Sequence, residues 1–115
     1  MASLAHGRLR PPAEAPTDGE AVGELARLGP VTVEQILTGR LARPVDYLQD
    51  HHEFVMVVAG AGTVEAAGQV FTLGPGEWMV LPAGRPHRLA SAEPGTSWLA
   101  VRVPAPGSPR AAGGG

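Results

Sequence analysis

From Val31 onward the hydrophobic period changes, and β-favouring, largely apolar runs alternate with turn residues every eight to twelve positions. This pattern predicts strands near 31–37, 45–49, 53–59, 62–66, 69–73, 77–82, 87–91 and 97–103. The last of these, Ser97-Trp98-Leu99-Ala100-Val101-Arg102-Val103, is bounded by Pro94-Gly95 and Pro104. Eight short strands predict an all-β, double-sheet jelly roll. In the third run Phe54, Met56 and Val58 share one face, while Val55, Val57 and Ala59 share the other with Glu53. A strand that is apolar on both sides is buried on both sides. The outward side therefore needs a helix, a second sheet or another subunit as cover, with Trp78, Met79, Phe54 and Trp98 as candidates for the packing. A homodimer, the commonest closed oligomer, is expected.

Before Val31 the period differs. Thr17-Asp18-Gly19-Glu20 has the form of a capping box, Val22, Leu25 and Leu28 follow at helical spacing, and Gly29-Pro30 reads as a stop. One short N-terminal helix is expected. Residues 1–16 read as a disordered arm and 104–115 as a Pro/Gly/Ala tail, both poor in large apolar groups, with the domain at 17–103. Gly60-Ala61-Gly62, Ala66-Ala67-Gly68-Gln69 and Gly74-Pro75-Gly76 read as hairpin turns. The first lacks the third glycine of a dinucleotide fingerprint, and no Gly-Lys-Ser/Thr of a phosphate loop follows it.

Composition narrows the function classes. A chain of 115 residues is one domain that buries roughly 65% of its unfolded surface. Nine Arg and no Lys against eleven acids give a net charge of −2, without a basic footprint for nucleic acid. Without Cys there is no disulfide framework, thiolate zinc site or cysteine nucleophile. No apolar run is long enough for a membrane span. The first residues hold no sustained apolar stretch before Pro11-Pro12, so no secretory leader is expected and the cytoplasm is the expected location.

The candidate chemistry lies in Tyr47-Leu48-Gln49-Asp50-His51-His52-Glu53 together with His87. In an extended segment Tyr47, Gln49, His51 and Glu53 share a face, and Leu48, Asp50 and His52 share the other. His52 is thus expected in solvent or at an interface, although a one-residue bulge would turn it inward. Glu53 opens an apolar run, and a buried carboxylate needs a cation or a hydrogen-bond partner. His87 follows Pro82-Ala83-Gly84-Arg85-Pro86, a turn that aims the residue after it. Arg88 and Arg102 are ordinary surface charges unless they point inward, where a guanidinium pairs with a substrate carboxylate.

Gly76, Pro82, Gly84 and His87 have the spacing of the second signature motif of the cupin superfamily, and Glu53 stands seven positions before Gly60 as in the closing half of the first. The chain resembles a small single-domain cupin, which implies a double-stranded β-helix barrel. The resemblance extends to a subgroup pattern at Tyr47, Gln49, Glu53-Phe54-Val55, His87-Arg88 and Trp98-Leu99-Ala100-Val101, and covers most of residues 31–103. Metal-binding cupins present two histidines and a glutamate from the first motif and a histidine from the second. Glu53 and His87 match, whereas the two earlier histidine positions fall on Tyr47 and Gln49, the opening glycine on Leu41 and the closing asparagine on Ser91.

The resemblance implies one divalent metal ion, Fe, Mn, Ni or Zn, with Glu53, His87 and either His51 or Gln49 as ligands. His51, Glu53 and His87 would make a two-histidine, one-carboxylate set. Tyr47, Arg88 and Arg102 are the candidate substrate contacts. Two functions follow as expectations: a metal-dependent small-molecule enzyme of dioxygenase, isomerase or decarboxylase type, or a non-catalytic cupin that binds a small ligand as a sensor or accessory module. Fold alone does not choose between them.

Overall fold

The computed structural model describes residues 4–106. A single 3-10 turn at Pro12–Glu14 precedes nine strands. These are β1 (Glu20–Leu28), β2 (Val31–Thr38), β3 (Val45–Tyr47), β4 (His51–Ala59), β5 (Gly62–Ala66), β6 (Gln69–Leu73), β7 (Trp78–Leu81), β8 (His87–Ala92) and β9 (Thr96–Pro104). They form two antiparallel sheets, one in the order β1-β2-β9-β4-β7 and one in the order β3-β8-β5-β6. The eight strands expected from the alternation are all present, and the fold is the all-β double-sheet barrel they imply.

The ninth strand replaces the expected helix. Residues 20–28 pair antiparallel with β2, and the register shifts between Glu24 and Ala26. A β-bulge adds one residue to a strand and resets its alternation. Val22, Leu25 and Leu28 straddle it, so their three-residue spacing imitates a helix. Gly29-Pro30 is the two-residue turn between paired Leu28 and Val31, with Gly29 at φ 60°. Glu20 caps no helix. Its carboxylate accepts hydrogen bonds from Thr38 Oγ1 at 3.0 Å and from the Tyr47 hydroxyl.

Two glycine turns also differ from expectation. Ala66↔Gln69 does close a hairpin, with Ala67 and Gly68 both at positive φ as a type I′ turn requires. Gly60-Ala61 and Gly74-Pro75-Gly76, however, carry the chain from one sheet to the other. The first crossing is pinned by Thr96, whose Oγ1 donates to Ala61 O at 3.1 Å. Gly62 then passes beneath an indole, and a Cβ there would lie 2.4 Å from Trp98 Cζ2.

The core lies between the sheets. Val55, Val57, Val64, Leu73, Leu81, Leu89, Trp98 and Ala100 form one buried cluster, with Ile36, Val45, Tyr47 and Met79 packed against it. Outside the five-stranded sheet, Gln35 is buried by the segment read as an arm. Arg10 N–H donates to Gln35 Oε1 and Gln35 Nε2 donates to Arg10 O, both at 2.9 Å, and Nε2 also donates to Ser97 Oγ at 3.0 Å. The tail beyond residue 106 lies outside the described residues. Among the described residues no helix is long and apolar enough to cross a membrane.

Candidate functional site

Between the sheets a cavity of about 270 Å³ is lined by side chains of both. The five-stranded sheet supplies Glu20 and Val22 from β1, Glu34 and Ile36 from β2, Glu53 and Val55 from β4, and Trp98 and Arg102 from β9. Tyr47, His87 and Leu89 face them from the four-stranded sheet, and Gln49 comes from the β3–β4 connection. Strand parity explains the set: Glu53, Arg102 and Thr32 lie abreast on β4, β9 and β2, and Val57, Trp98 and Ile36 lie abreast nearer the other end. A pocket with apolar walls and a few convergent polar groups is the usual form of a small-molecule site.

The turn before His87 works as its residues suggest, and the β3–β4 connection and the start of β4 hold it in place. Gly84 takes φ 76°, and Arg85 N–H donates to Pro82 O at 3.2 Å. Gly84 N–H donates to Gln49 O at 2.8 Å, and Ala83 N–H donates to His52 Nδ1 at 3.0 Å. His87, 9% exposed, stacks on Tyr47 with ring centroids 5.3 Å apart and an interplanar angle of 15°. Its Nδ1 lies 3.4 Å from Arg85 O. Nδ1–H as donor in that contact leaves the lone pair on Nε2.

His52 is therefore a structural acceptor for the turn, on the side of β4 away from Glu53. Replacing His52 with Ala is expected to cost about 1 kcal/mol through the lost bond to Ala83 N–H, read by chemical denaturation. It should leave the cavity itself unchanged, because His52 is not in its lining.

Carboxylates set the cavity's electrostatics. Burial drives the Glu53 pKa up to about 6; Arg102 lowers it and the Glu34 and Glu20 charges add to the rise. Arg102 Nη1 stands 3.5 Å from Glu34 Oε2. Burial, the hydrogen bond it donates to Glu20, and the Glu20 and Glu53 charges all push the Tyr47 phenol up, which keeps it a neutral donor. A hydrogen-bonded chain thus runs from Trp98 Nε1–H to Thr38 Oγ1 at 3.1 Å, from Thr38 to Glu20, and back to Tyr47. Two buried atoms make no hydrogen bond with any described residue: Gln49 Oε1 and Arg102 Nε.

Of the residues singled out from sequence, the fold brings Tyr47, Gln49, Glu53, His87 and Arg102 to one cavity. His51 and Arg88 are not in its lining. His51 has the parity of Glu53, but it sits opposite Pro104 at the end of the β4–β9 ladder, with Nδ1 3.5 Å from Asp50 Oδ1. Arg88 lies on the outer face of the four-stranded sheet, where Nε donates to Asp46 Oδ1 at 2.6 Å; that bond holds the guanidinium pKa above its ordinary value. The expected common face of Tyr47, Gln49, His51 and Glu53 does not form. The chain leaves strand geometry after Tyr47 and changes sheets before His51, so Tyr47 and Glu53 reach the interior from different sheets.

Sequence reasoning missed Glu20 and Glu34. Glu20 was hidden by the helical reading of its segment. Glu34 did carry a signal, since an acid inside the apolar run from Val31 to Leu37 needs a partner if buried, and it is 8% exposed. Among the described residues no three His, Cys, Asp or Glu side chains gather into a group able to hold a metal ion. The available donor set is Glu53 and His87 with the amide oxygen of Gln49.

Comparison with known proteins places this geometry. No curated protein matches the chain. It is 32% identical to a Ralstonia eutropha JMP134 protein provisionally assigned as a mannose-6-phosphate isomerase, covering 87% of this chain and 98% of that one with a TM-score of 0.74. The fold is shared with KdgF of a Halomonas species at 24% identity, 76% and 82% coverage and a TM-score of 0.68. An RmlC-like cupin of Shewanella frigidimarina shares it at 18% identity, 83% and 88% coverage and a TM-score of 0.65. Residues 2–113 match the family model of the AraC-binding-like domain. The chain belongs to that AraC-binding-like family, and its barrel is that of a small cupin.

Proposed function

We propose that the chain is a small-ligand-binding cupin whose interior cavity takes one compact polar molecule between Arg102 and Gln49. The observation that carries this reading is the pair of buried, unbonded atoms, Arg102 Nε and Gln49 Oε1, lining the same cavity. Buried polar groups in folded proteins are nearly always hydrogen-bonded, and those that are not point to a missing partner. A ligand that offers an acceptor to the guanidinium and a donor to the amide oxygen satisfies both. Glu53 and His87 add an acceptor and an imidazole, and Trp98, Ile36 and Leu89 supply apolar walls.

A second reading is favoured by the same Gln49 oxygen. Glu53, His87 and Gln49 would hold a divalent ion, which would supply Lewis-acid polarisation of a ligand oxygen. In that case Arg102 would orient the ligand.

Tag-free protein tests both. Thermal shift against a panel of small carboxylates, polyols, amines and sugar phosphates should show a hit that raises Tm by about 10 °C or more near a hundredfold excess over Kd. Arg102→Ala should weaken that hit roughly 10- to 100-fold, as expected for a lost charge-assisted hydrogen bond. Stoichiometric metal that disappears in folded Glu53→Ala and His87→Ala variants would establish the second reading. A hit that binds equally well to Arg102→Ala and Gln49→Ala would dismiss the first.

A further inference from the structure

We infer, on the strength of that ligand-binding reading, that the cavity selects a compact cation: a primary ammonium whose molecule also carries a neutral acceptor, as in an amino alcohol or an amino sugar. The charged side chains in the lining are Glu20, Glu34, Glu53 and Arg102, three carboxylates against one guanidinium, so negative charge is in excess. Not all of it is open to a ligand. Glu20 already accepts hydrogen bonds from Thr38 and Tyr47, and Glu34 Oε2 faces Arg102 Nη1 at 3.5 Å. Glu53 differs from both. It is 7% exposed, and among the described residues its carboxylate makes no hydrogen bond or close ion pair. A buried carboxylate without a partner is costly, and a cation brought by the ligand removes that cost.

The unmet groups also set how many donors the ligand brings. Gln49 Oε1 is a second buried acceptor without a hydrogen bond. With Nδ1–H directed at Arg85 O, His87 offers the lone pair of Nε2 as a third. An ammonium group has three N–H donors and no acceptor, which matches a carboxylate, an amide oxygen and an imidazole nitrogen lining one cavity. Arg102 Nε is the converse, a buried donor that lacks an acceptor, so the same ligand must also present an oxygen to it.

Charge decides which oxygen. A carboxylate or phosphate at Arg102 would share the guanidinium with Glu34 and add to the negative excess, whereas a hydroxyl or carbonyl meets Nε without like-charge repulsion. A polyol brings donors but no charge for Glu53. A bare divalent ion would meet the three acceptors, yet it would leave Arg102 Nε unbonded and stand in one cavity with the guanidinium charge. An ammonium with a neutral acceptor answers every unmet group at once.

Isothermal titration of tag-free, EDTA-treated protein at pH 7 tests this with two matched sets: serinol with glycerol and glycerate, and glucosamine with glucose and gluconate. In at least one set the amine should bind about 10-fold or more tighter than its neutral and anionic counterparts, as expected for hydrogen bonds to a charged group. Glu53→Gln should erase most of that preference, because the amide keeps the shape and loses the charge. Glu34→Gln removes one carboxylate and frees Arg102, so the anionic member should gain on the amine by about 10-fold; this variant also serves if Glu53→Gln does not fold. An amine that binds no tighter than its counterparts in both sets overturns the inference. That result leaves the ligand-binding reading standing if a carboxylate, polyol or sugar phosphate of the wider panel binds, turns to the metal reading if only divalent ions bind, and ends both readings if nothing does. An amine preference that survives unchanged in both folded variants also overturns the inference.

Discussion

Trp98→Ala is expected to destabilise the fold by about 3–5 kcal/mol, a large share of the roughly 5–15 kcal/mol that holds a domain together. The indole is the largest member of the buried cluster and is 4% exposed. It packs against Gly62, where there is no room for a Cβ, so the strand cannot move inward with a larger residue to refill the space. The substitution also removes the donor to Thr38 Oγ1 at the head of the chain through Glu20 to Tyr47. Urea denaturation measures the total, and Trp98→Phe separates its parts. Phenylalanine keeps much of the apolar area and loses the N–H, so its cost should fall to about 1–2 kcal/mol. Equal losses for the two variants would show that the hydrogen bond dominates over the packing, and a loss under 1 kcal/mol for alanine would contradict the burial.

Glu53→Gln should act in the opposite direction, and only above a definite pH. The folded-state pKa of Glu53 is raised to about 6, against 4.5 for the ordinary carboxyl, chiefly by burial. Between those two values the folded chain binds more protons than the unfolded one, so stability falls as pH rises through that window. Below it both states are protonated and the group costs nothing. Above it the full penalty is present, on the order of 2 kcal/mol at 1.36 kcal/mol per pKa unit. Glutamine keeps the shape and cannot ionise. The variant should therefore unfold at a higher temperature than the parent at pH 7.5 and at a similar temperature at pH 4. It should also lose stabilisation by any ligand or ion that uses the carboxylate, the trade between stability and function expected of a strained site. A variant destabilised equally at both pH values would show that the Glu53 charge is already well satisfied in the folded state.

The two experiments address different layers. Trp98 belongs to the scaffold that holds the sheets apart at the cavity, whereas Glu53 is a group the scaffold keeps in an unfavourable environment. Arg102 moderates that environment without removing the strain, because it is shared with Glu34 and its Nε remains unbonded. The cavity thus carries both an unmet donor and a strained acceptor.

Much of this was legible in the chain itself. The succession of β-favouring runs and turn residues from Val31 to Val103 is a local property, set by backbone preferences and turn chemistry, and it located eight strands. The turn from Pro82 to Pro86 is equally local, and with the cupin spacing it singled out His87 and Glu53. Tyr47 and Gln49 stood at the matching positions and do line the cavity. What was misread had a local appearance and a non-local cause. A bulge at Glu24–Ala26 gave a strand the spacing of a helix, and the reading of Gly60-Ala61 and Gly74-Pro75-Gly76 as hairpins missed that their flanking strands pair elsewhere.

The amino-acid order by itself determined where strands run, where the chain turns and which side chains share a face within one strand, because φ/ψ preferences and a two-residue period act over a few neighbours. Which strands lie side by side was decided only in three dimensions, where the hydrophobic cluster selects one pairing for the whole barrel. That pairing turned Glu20 and Glu34 into cavity walls, left His51 at the end of a ladder, sent Arg88 outward to Asp46, and set Arg102 beside Glu53 across forty-nine positions of sequence.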